Sequence, residues 1–299
     1  MMDKLAPICK ESRDISTTKF LWQIWNQHPK FLLPGNNNYL QGYSWAALRT
    51  NFIVGKVMLD AGLSASTNVD YIFLTHGHSD HSASLYFHLF LPNKKIFVPE
   101  KIKTVVERFL LSHFEISMPE GEFDTNRASY EVIGVKSGDQ IEIMNNGSKY
   151  RVTVFENDHS VPCMSFGFEE NKKSLKSEFK GLDGKELAAL RKQGYTLDDF
   201  AWVPRYIYIG DTTELVFDMN PKIFSYEAII VECTFLYDDD LSQASETKHC
   251  HWRTLRPIIE AHPLNTFILY HFSTRYKEEE IVTFFRENSL PNIHPWTHS

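Results

Sequence analysis

Apolar positions along this chain come mostly in short runs that stop at turn residues, the pattern of buried strands. From about residue 38, "NYLQGYSWAALRTNFIVGKVMLDAGLS" predicts short strands with turns at Gly42 and Gly55, the last ending in Asp-Ala-Gly. "VDYIFLTH" predicts the next strand. Residues 82–90 and 101–115 carry apolar side chains at helical spacing, with a strand, "KIFVPE", between them. A strand-rich section follows, with "NNG" as a hairpin turn. Strands return in "RYIYIGDT" and "YEAIIVECTF". Then come a helix, "WRTLRPIIEAH", a strand, "NTFILYHF", and a helix around 277–287. This order predicts one layered α/β domain with mixed sheets over 1–299. Residues 169–200 break the pattern. They are charged, only "GKELAALRKQG" among them has helical character, and they are expected to protrude as an insertion.

The strand at 71–75 ends in "HGHSDH", which crowds His76, His78, Asp80 and His81 into six positions. Neutral imidazole and carboxylate are the donors that divalent zinc favours, and a catalytic site keeps a position open. Two ions about 3.5–4 Å apart can hold the attacking and leaving oxygens of a phosphodiester. One loop cannot fill two coordination spheres, so other strand ends must contribute. "VFENDHSVP" offers His159, "IYIGDTTEL" offers Asp211 and "FILYHFSTRY" offers His271. Singly, each has a plain structural reading as a turn or surface residue. Together, and in this order, they point to a metal centre.

His-x-His-x-Asp-His, a lone His, Gly-Asp and a final His resemble the pattern of the metallo-β-lactamase fold. "HFSTRY", "VECTFL" and "DHSVPCMSFGF" resemble motifs of ribonuclease Z, the endonuclease that trims the 3′ end of precursor tRNA. The resemblance runs from about Leu40 to Tyr276. It implies a four-layer αββα fold, two mixed sheets sandwiched between helices. It also implies two zinc ions, with manganese or iron able to occupy the same donors. His76, His78 and His159 would hold one ion, Asp80, His81 and His271 the other, and Asp211 would bridge. Asp80 would orient or deprotonate the attacking water. Glu232 and a downstream histidine would pass a proton to the leaving 3′ oxygen. Spacing from the last metal ligand selects His249, but His251 lies two residues on and stays open. Ser273 and Arg275 would flank the scissile phosphate.

The chain departs from that family at three places. Ser79 stands where the metal loop usually has Gly, "SASL" replaces a Gly-containing step, and "HCHW" replaces the His-Ser-Thr helper motif. The 169–200 segment occupies the interval of the family's tRNA-binding arm. Lys172, Lys173, Lys176 and Lys180 are its candidate RNA contacts, although carboxylates are interspersed among them. The expected partner is RNA, in the form of precursor tRNA, and the family also forms homodimers. A phosphodiesterase for a small diester such as a cyclic nucleotide is the alternative. A catalytically silent scaffold would be expected to have lost metal ligands.

Charge and composition narrow this further. A net charge of −7 argues against a globally basic nucleic-acid binder but leaves room for a local basic patch. Four cysteines, Cys9, Cys163, Cys233 and Cys250, form no Cys-x-x-Cys pair and suit free thiols in a reducing compartment. "MMDKLAPICKESRD" lacks the apolar stretch of a secretion signal, and no run is long enough to span a membrane. A cytoplasmic location is the expectation.

Overall fold

The apolar runs assemble into two seven-stranded sheets stacked face to face. A computed structural model describes residues 29–35, 37–63, 69–88, 93–118 and 130–297; the charged N-terminal stretch and Cys9 lie outside the described residues. The first sheet runs, in spatial order, β1 (Lys30–Leu32), β2 (Tyr39–Trp45), β3 (Arg49–Val54), β4 (Val57–Leu59), β5 (Tyr71–Phe73), β6 (Lys94–Pro99) and β7 (Tyr130–Val135). The second runs β8 (Gln140–Asn145), β9 (Ser148–Glu156), β10 (Met164–Leu175), β11 (Asp198–Tyr208), β12 (Ala228–Glu232), β13 (Thr266–Tyr270) and β14 (Ile293–Pro295). Each sheet starts antiparallel and turns parallel midway, at β4 in the first and β11 in the second.

Parallel neighbours need long crossovers, and helices fill them. Those of the described residues are α1 (Ser79–Ser82), α2 (Lys103–Ile116), α3 (Gly184–Lys192), α4 (Leu215–Met219), α5 (Leu241–Thr247), α6 (Trp252–Ala261) and α7 (Glu278–Glu287). The parallel strands are apolar on both faces because both are covered. In β12, Ala228 and Ile230 face the other sheet, while Ile229 and Val231 face the helices. Between the sheets Phe73 stacks on Phe97 at 4.6 Å and meets Phe166 and Phe168 of β10. Leu255, Ile259 and Phe284 of α6 and α7 cover the second sheet. Val106, Leu110 and Phe114 of α2 cover the first. The result is the expected αββα sandwich.

Three expectations need correction. Gly42 lies inside β2, and the turn falls at Ala46–Leu48, where Ala47 has φ 56°. Gly42 is there for space: a Cβ would lie 2.3 Å from the Asn51 carbonyl oxygen. Residues 82–88 do not continue one helix. Ser84 N–H turns back to the Ala61 carbonyl at 2.8 Å, so α1 stops and a 3-10 turn, Leu85–His88, follows; residues 89 and 90 lie outside the described residues. Finally, the polar insertion is half sheet. The β10–β11 ladder continues from Glu169↔Pro204 to Leu175↔Asp198, so two strands project from the sandwich and only 176–197 forms a tip. Helix α3 starts there at a capping box, Asp183 accepting from Lys185 and Glu186 N–H at 2.8 and 2.9 Å. The Asn-Asn-Gly turn forms as expected, with Asn146 and Gly147 both at positive φ. No helix among the described residues is long and apolar enough to cross a membrane.

Candidate metal centre

The site lies where the first sheet's β5 and the parallel strands of the second sheet end side by side. After Phe73 the chain leaves the sheet with Thr75, whose N–H and hydroxyl both donate to Asp60, at 2.7 and 3.0 Å. Asp60 follows β4 at φ 59°, an uncommon conformation for a non-glycine residue. Its fully buried carboxylate also meets His81 Nδ1 at 2.7 Å and accepts from the Tyr208 hydroxyl at 2.7 Å. It thus ties the metal loop to both sheets. Gly62 completes this turn, since a Cβ there would sit 1.7 Å from the Asp80 carbonyl oxygen.

Seven side chains, far apart in sequence, converge in front of this scaffold. His76, His78, His159 and Asp211 form one cluster of donor atoms and Asp80, His81 and His271 a second, each within 4.8 Å across. Asp211 lies between them: one oxygen is 3.6 Å from both His76 Nε2 and His271 Nε2, and the other is 3.3 Å from His81 Nε2. His159 Nε2 is 3.4 Å from His78 Nδ1, and His271 Nε2 is 3.2 Å from Asp80 Oδ2. His271 has φ 64°, which turns its ring out of the strand direction and into the cage.

The outward nitrogens are anchored, so the inward ones are aimed. His76 Nδ1 meets the Thr75 hydroxyl at 3.0 Å, His81 Nδ1 meets Asp60, and His271 Nδ1 meets the Thr234 hydroxyl at 3.0 Å. His159 Nδ1 donates to the Lys248 carbonyl at 3.0 Å. Partners of this kind set tautomer and ring orientation in metal sites. Lys248 can present that carbonyl because it ends α5 in the left-handed region, at φ 55°. Ala47 N–H donates to Asp80 at 2.8 Å.

The electrostatics of the first cluster suit a cation. Burial, followed by mutual imidazole repulsion, lowers the pKa of His76 and His78, and burial lowers that of His159, so all three present lone pairs at neutral pH. Burial opposes ionisation of Asp80 and Asp211, yet the surrounding histidines hold both carboxyls well below their usual range. Burial would likewise lower His81, but Asp211 and Asp60 raise it well above the ordinary imidazole value. Among the described residues His76 Nε2 is buried with no hydrogen-bond partner, while Asp211 Oδ1 faces only the His81 ring, at 3.3 Å. Buried polar atoms are rarely left unpaired, and a cation beside His76 would satisfy its free nitrogen. The residues fit a pair of metal ions.

Glu232, at the end of β12, is fully buried and held by Thr212 N–H at 2.9 Å and by the Thr234 hydroxyl. Its Oε1 lies 2.7 Å from His249 Nδ1. Burial works against a charged His249, but Glu232 prevails and raises its pKa to about 9. His251 faces elsewhere. Its Nδ1 accepts from Arg253 N–H at 3.0 Å, capping α6, and its Nε2 donates to the Tyr237 carbonyl at 2.8 Å. Both ring nitrogens are therefore engaged in structure.

A pocket of about 370 Å³ opens on this cluster, lined by Asp80, Asp211, His249, His271, Ser273 and Arg275. Arg275 is fastened to its wall by Asp240 and by Gln243 at 2.7 Å, lies 5.2 Å over the Phe235 ring, and donates to the Ser273 hydroxyl at 3.2 Å. The arm lysines are not part of it. Lys172 lies eight residues along β10 from Met164, roughly 25–30 Å at ordinary strand rise. Lys173 pairs with Asp198 at 2.9 Å, and Lys176 and Lys180 flank a short turn at the tip. Cys163, Cys233 and Cys250 are buried free thiols. Asp60 and Thr234 are the important residues whose roles the sequence reading missed. "LDAG" was legible only as a turn, and "ECTF" only through the resemblance.

The fold and this arrangement of donors define a metal-dependent hydrolase, and the chain belongs to the β-lactamase superfamily, whose domain matches residues 59–272. Among curated relatives, the chloroplastic tRNase Z TRZ2 of Arabidopsis thaliana is 30% identical over 256 residues, covering 81% of this chain and 69% of that protein. The tRNase Z TRZ1 of the same plant is 28% identical over 222 residues, covering 71% of this chain and 75% of that protein. The metallo-β-lactamase fold protein YhfI from Bacillus subtilis superposes with a TM-score of 0.52 at 13% identity, covering 86% of this chain and 94% of that one, a likeness of fold alone. In kind, the protein is a ribonuclease Z-like metal-dependent hydrolase.

Proposed function

We propose that this protein is an endoribonuclease that holds two divalent ions, zinc by donor type, and cuts precursor tRNA at its 3′ end. The observation that supports it most is the pair of donor clusters on either side of Asp211, with His76 Nε2 buried and without a hydrogen-bond partner among the described residues. His76, His78 and His159 would hold one ion, Asp80, His81 and His271 the other, and Asp211 both. Such ions supply Lewis-acid stabilisation of charge on the phosphoryl and attacking oxygens.

The chain's own groups do the rest. Asp80 reaches the pocket with its carboxylate positioned by Ala47 N–H and orients or deprotonates the attacking water. Glu232 holds His249 with Nδ1 inward, so Nε2 carries the proton delivered to the leaving 3′ oxygen. Ser273 and Arg275 bind non-bridging phosphate oxygens, Arg275 pre-set by Asp240 and Gln243. His251 is a cap for α6 and has no part in proton transfer. The tip at 176–197, borne on two projecting strands, is an arm on a single domain, and Lys172, Lys173, Lys176 and Lys180 meet the tRNA backbone away from the cut.

The direct experiment is incubation of metal-loaded protein with a 3′-extended tRNA and mapping of the product ends. A single cut at the 3′ end of the tRNA, releasing the extension, is expected. Absence of cleavage, with a cyclic nucleotide or other small diester hydrolysed instead, would overturn the RNA reading.

A further inference from the structure

A second cavity, of about 440 Å³, adjoins the metal pocket between the metal loop and α2. Gly77, Ser79 and Ala83 form one wall, and Val105, Phe109 and His113 of α2 form the other. Ser79 also lines the metal pocket, so the two spaces meet at that residue. The groove is open: Val105 is 54% exposed and Phe109 38%. An aromatic ladder borders it. Tyr86 lies face to face with His113 at 4.1 Å and 5°, Phe87 stacks on Tyr86 at 4.3 Å, and Phe109 meets His113 edge-on at 4.8 Å. Among the described residues no carboxylate lines it, although acidic residues outnumber basic ones in the chain, 38 to 31.

These features suit one kind of occupant. An apolar cleft with stacked rings and hydroxyls on its lip, joined to a site for phosphodiesters, fits a flat uncharged ring attached to the phosphate being cut. The described wall, without a carboxylate, avoids repelling the polyanion that carries such rings. Ser79 and Ala83 also fall in the stretch where this chain departs from the metal loop it resembles, which places the difference in substrate contact rather than in the ligands. We propose that the groove is a nucleobase subsite, holding the base of the nucleotide next to the scissile bond; this rests on the RNA reading above.

The test uses V105E, which sets a carboxylate in the groove wall, and F109A, which removes a ring; neither touches a proposed metal ligand. Turnover is compared on thymidine 5′-(p-nitrophenyl phosphate), which carries a base, and on methyl p-nitrophenyl phosphate, which does not. Base stacking is read separately, as quenching of 2-aminopurine placed beside the cleavage site of a 3′-extended tRNA fragment. Wild type should favour the nucleoside diester and quench the probe. Both variants should raise KM for that diester about tenfold, the order expected of one lost base stack, and relieve the quench. They should leave the methyl diester within about twofold and retain the wild-type circular dichroism spectrum. Unchanged KM and quenching in both variants would overturn the subsite. So would a shift from dimer to monomer with nucleoside preference intact, which would make the groove a subunit contact. A wild type that cuts RNA without quenching overturns the groove alone, whereas one that neither binds nor cuts RNA overturns the proposed function with it.

Discussion

The two sheets share one strand plan but contribute to the site in different ways. The first concentrates its donors in a single loop, His76 to His81, after one strand. The second spreads them over strand ends, His159 after β9, Asp211 after β11 and His271 after β13, with Glu232 at the end of β12 holding His249. A contiguous loop needs only local geometry to aim its side chains. A dispersed set needs the ladder. The parallel register Tyr208↔Ile230 and Glu232↔Tyr270 levels three strand ends, so the residues that follow meet in one place. The Asp60–Tyr208 hydrogen bond, between the turn after β4 and a strand of the other sheet, then holds the two contributions against each other. One half of the site is built by sequence proximity and the other by topology.

That contrast can be broken from either side, and the largest effects belong where the halves touch. Asp80→Ala should lower turnover of a 3′-extended tRNA about 10³-fold or more, consistent with a general base, while circular dichroism stays native. Asp211→Ala should bind less metal than the wild type, checked by elemental analysis; unchanged metal content would contradict the proposed bridging role of Asp211. On the dispersed side, His249→Ala should cost about 10²–10³ in kcat, whereas His251→Ala should leave kcat within a few-fold. The latter should cost about 1 kcal/mol of stability through the lost cap, measured by urea melts. Equal losses of kcat in the two variants would contradict the geometry.

Acid should weaken the first half in particular. Burial, then the nearby Lys94 charge, lowers His88 to about 4 from an ordinary 6.5, and neither of its ring nitrogens has a hydrogen-bond partner among the described residues. The unfolded chain therefore binds a proton that the folded chain refuses between those values. Its contribution is full above pH 6.5 and is lost as pH falls toward 4, amounting to about 3 kcal/mol. His88→Leu should flatten the pH dependence of the denaturation midpoint across that window; an unchanged slope would show that His88 is not its source. A smaller effect is expected at the anchor between the sheets. Asp60→Asn keeps the shape but removes the charge facing His81, and should weaken metal affinity about 10–100-fold in a chelator titration. The smallest change should come from the arm. Joining Leu175 to Asp198 removes the tip and keeps the last ladder pair, and should raise KM for precursor tRNA about tenfold while sparing methyl p-nitrophenyl phosphate.

Much was determined by the sequence alone. The order of strands and helices, a layered α/β class with mixed sheets, the hairpin at Asn146-Gly147 and the set of candidate donors all follow from local pattern, because side-chain periodicity and turn chemistry act over a few residues; the αββα form came only through the resemblance. Other features were decided only by the tertiary structure. Asp60 has the same local pattern as any turn residue, and only the sheet stacking brings Thr75, His81 and Tyr208 to it. His249 and His251 are equivalent as sequence. They part because the chain caps α6 with one ring and sets the other on Glu232. The strands of the insertion went unread because its polar residues lie where β10 and β11 leave the sandwich, and backbone hydrogen bonds hold that ladder without a core. Long-range contacts and backbone pairing leave little trace in residue type, which is why these three answers waited for the fold.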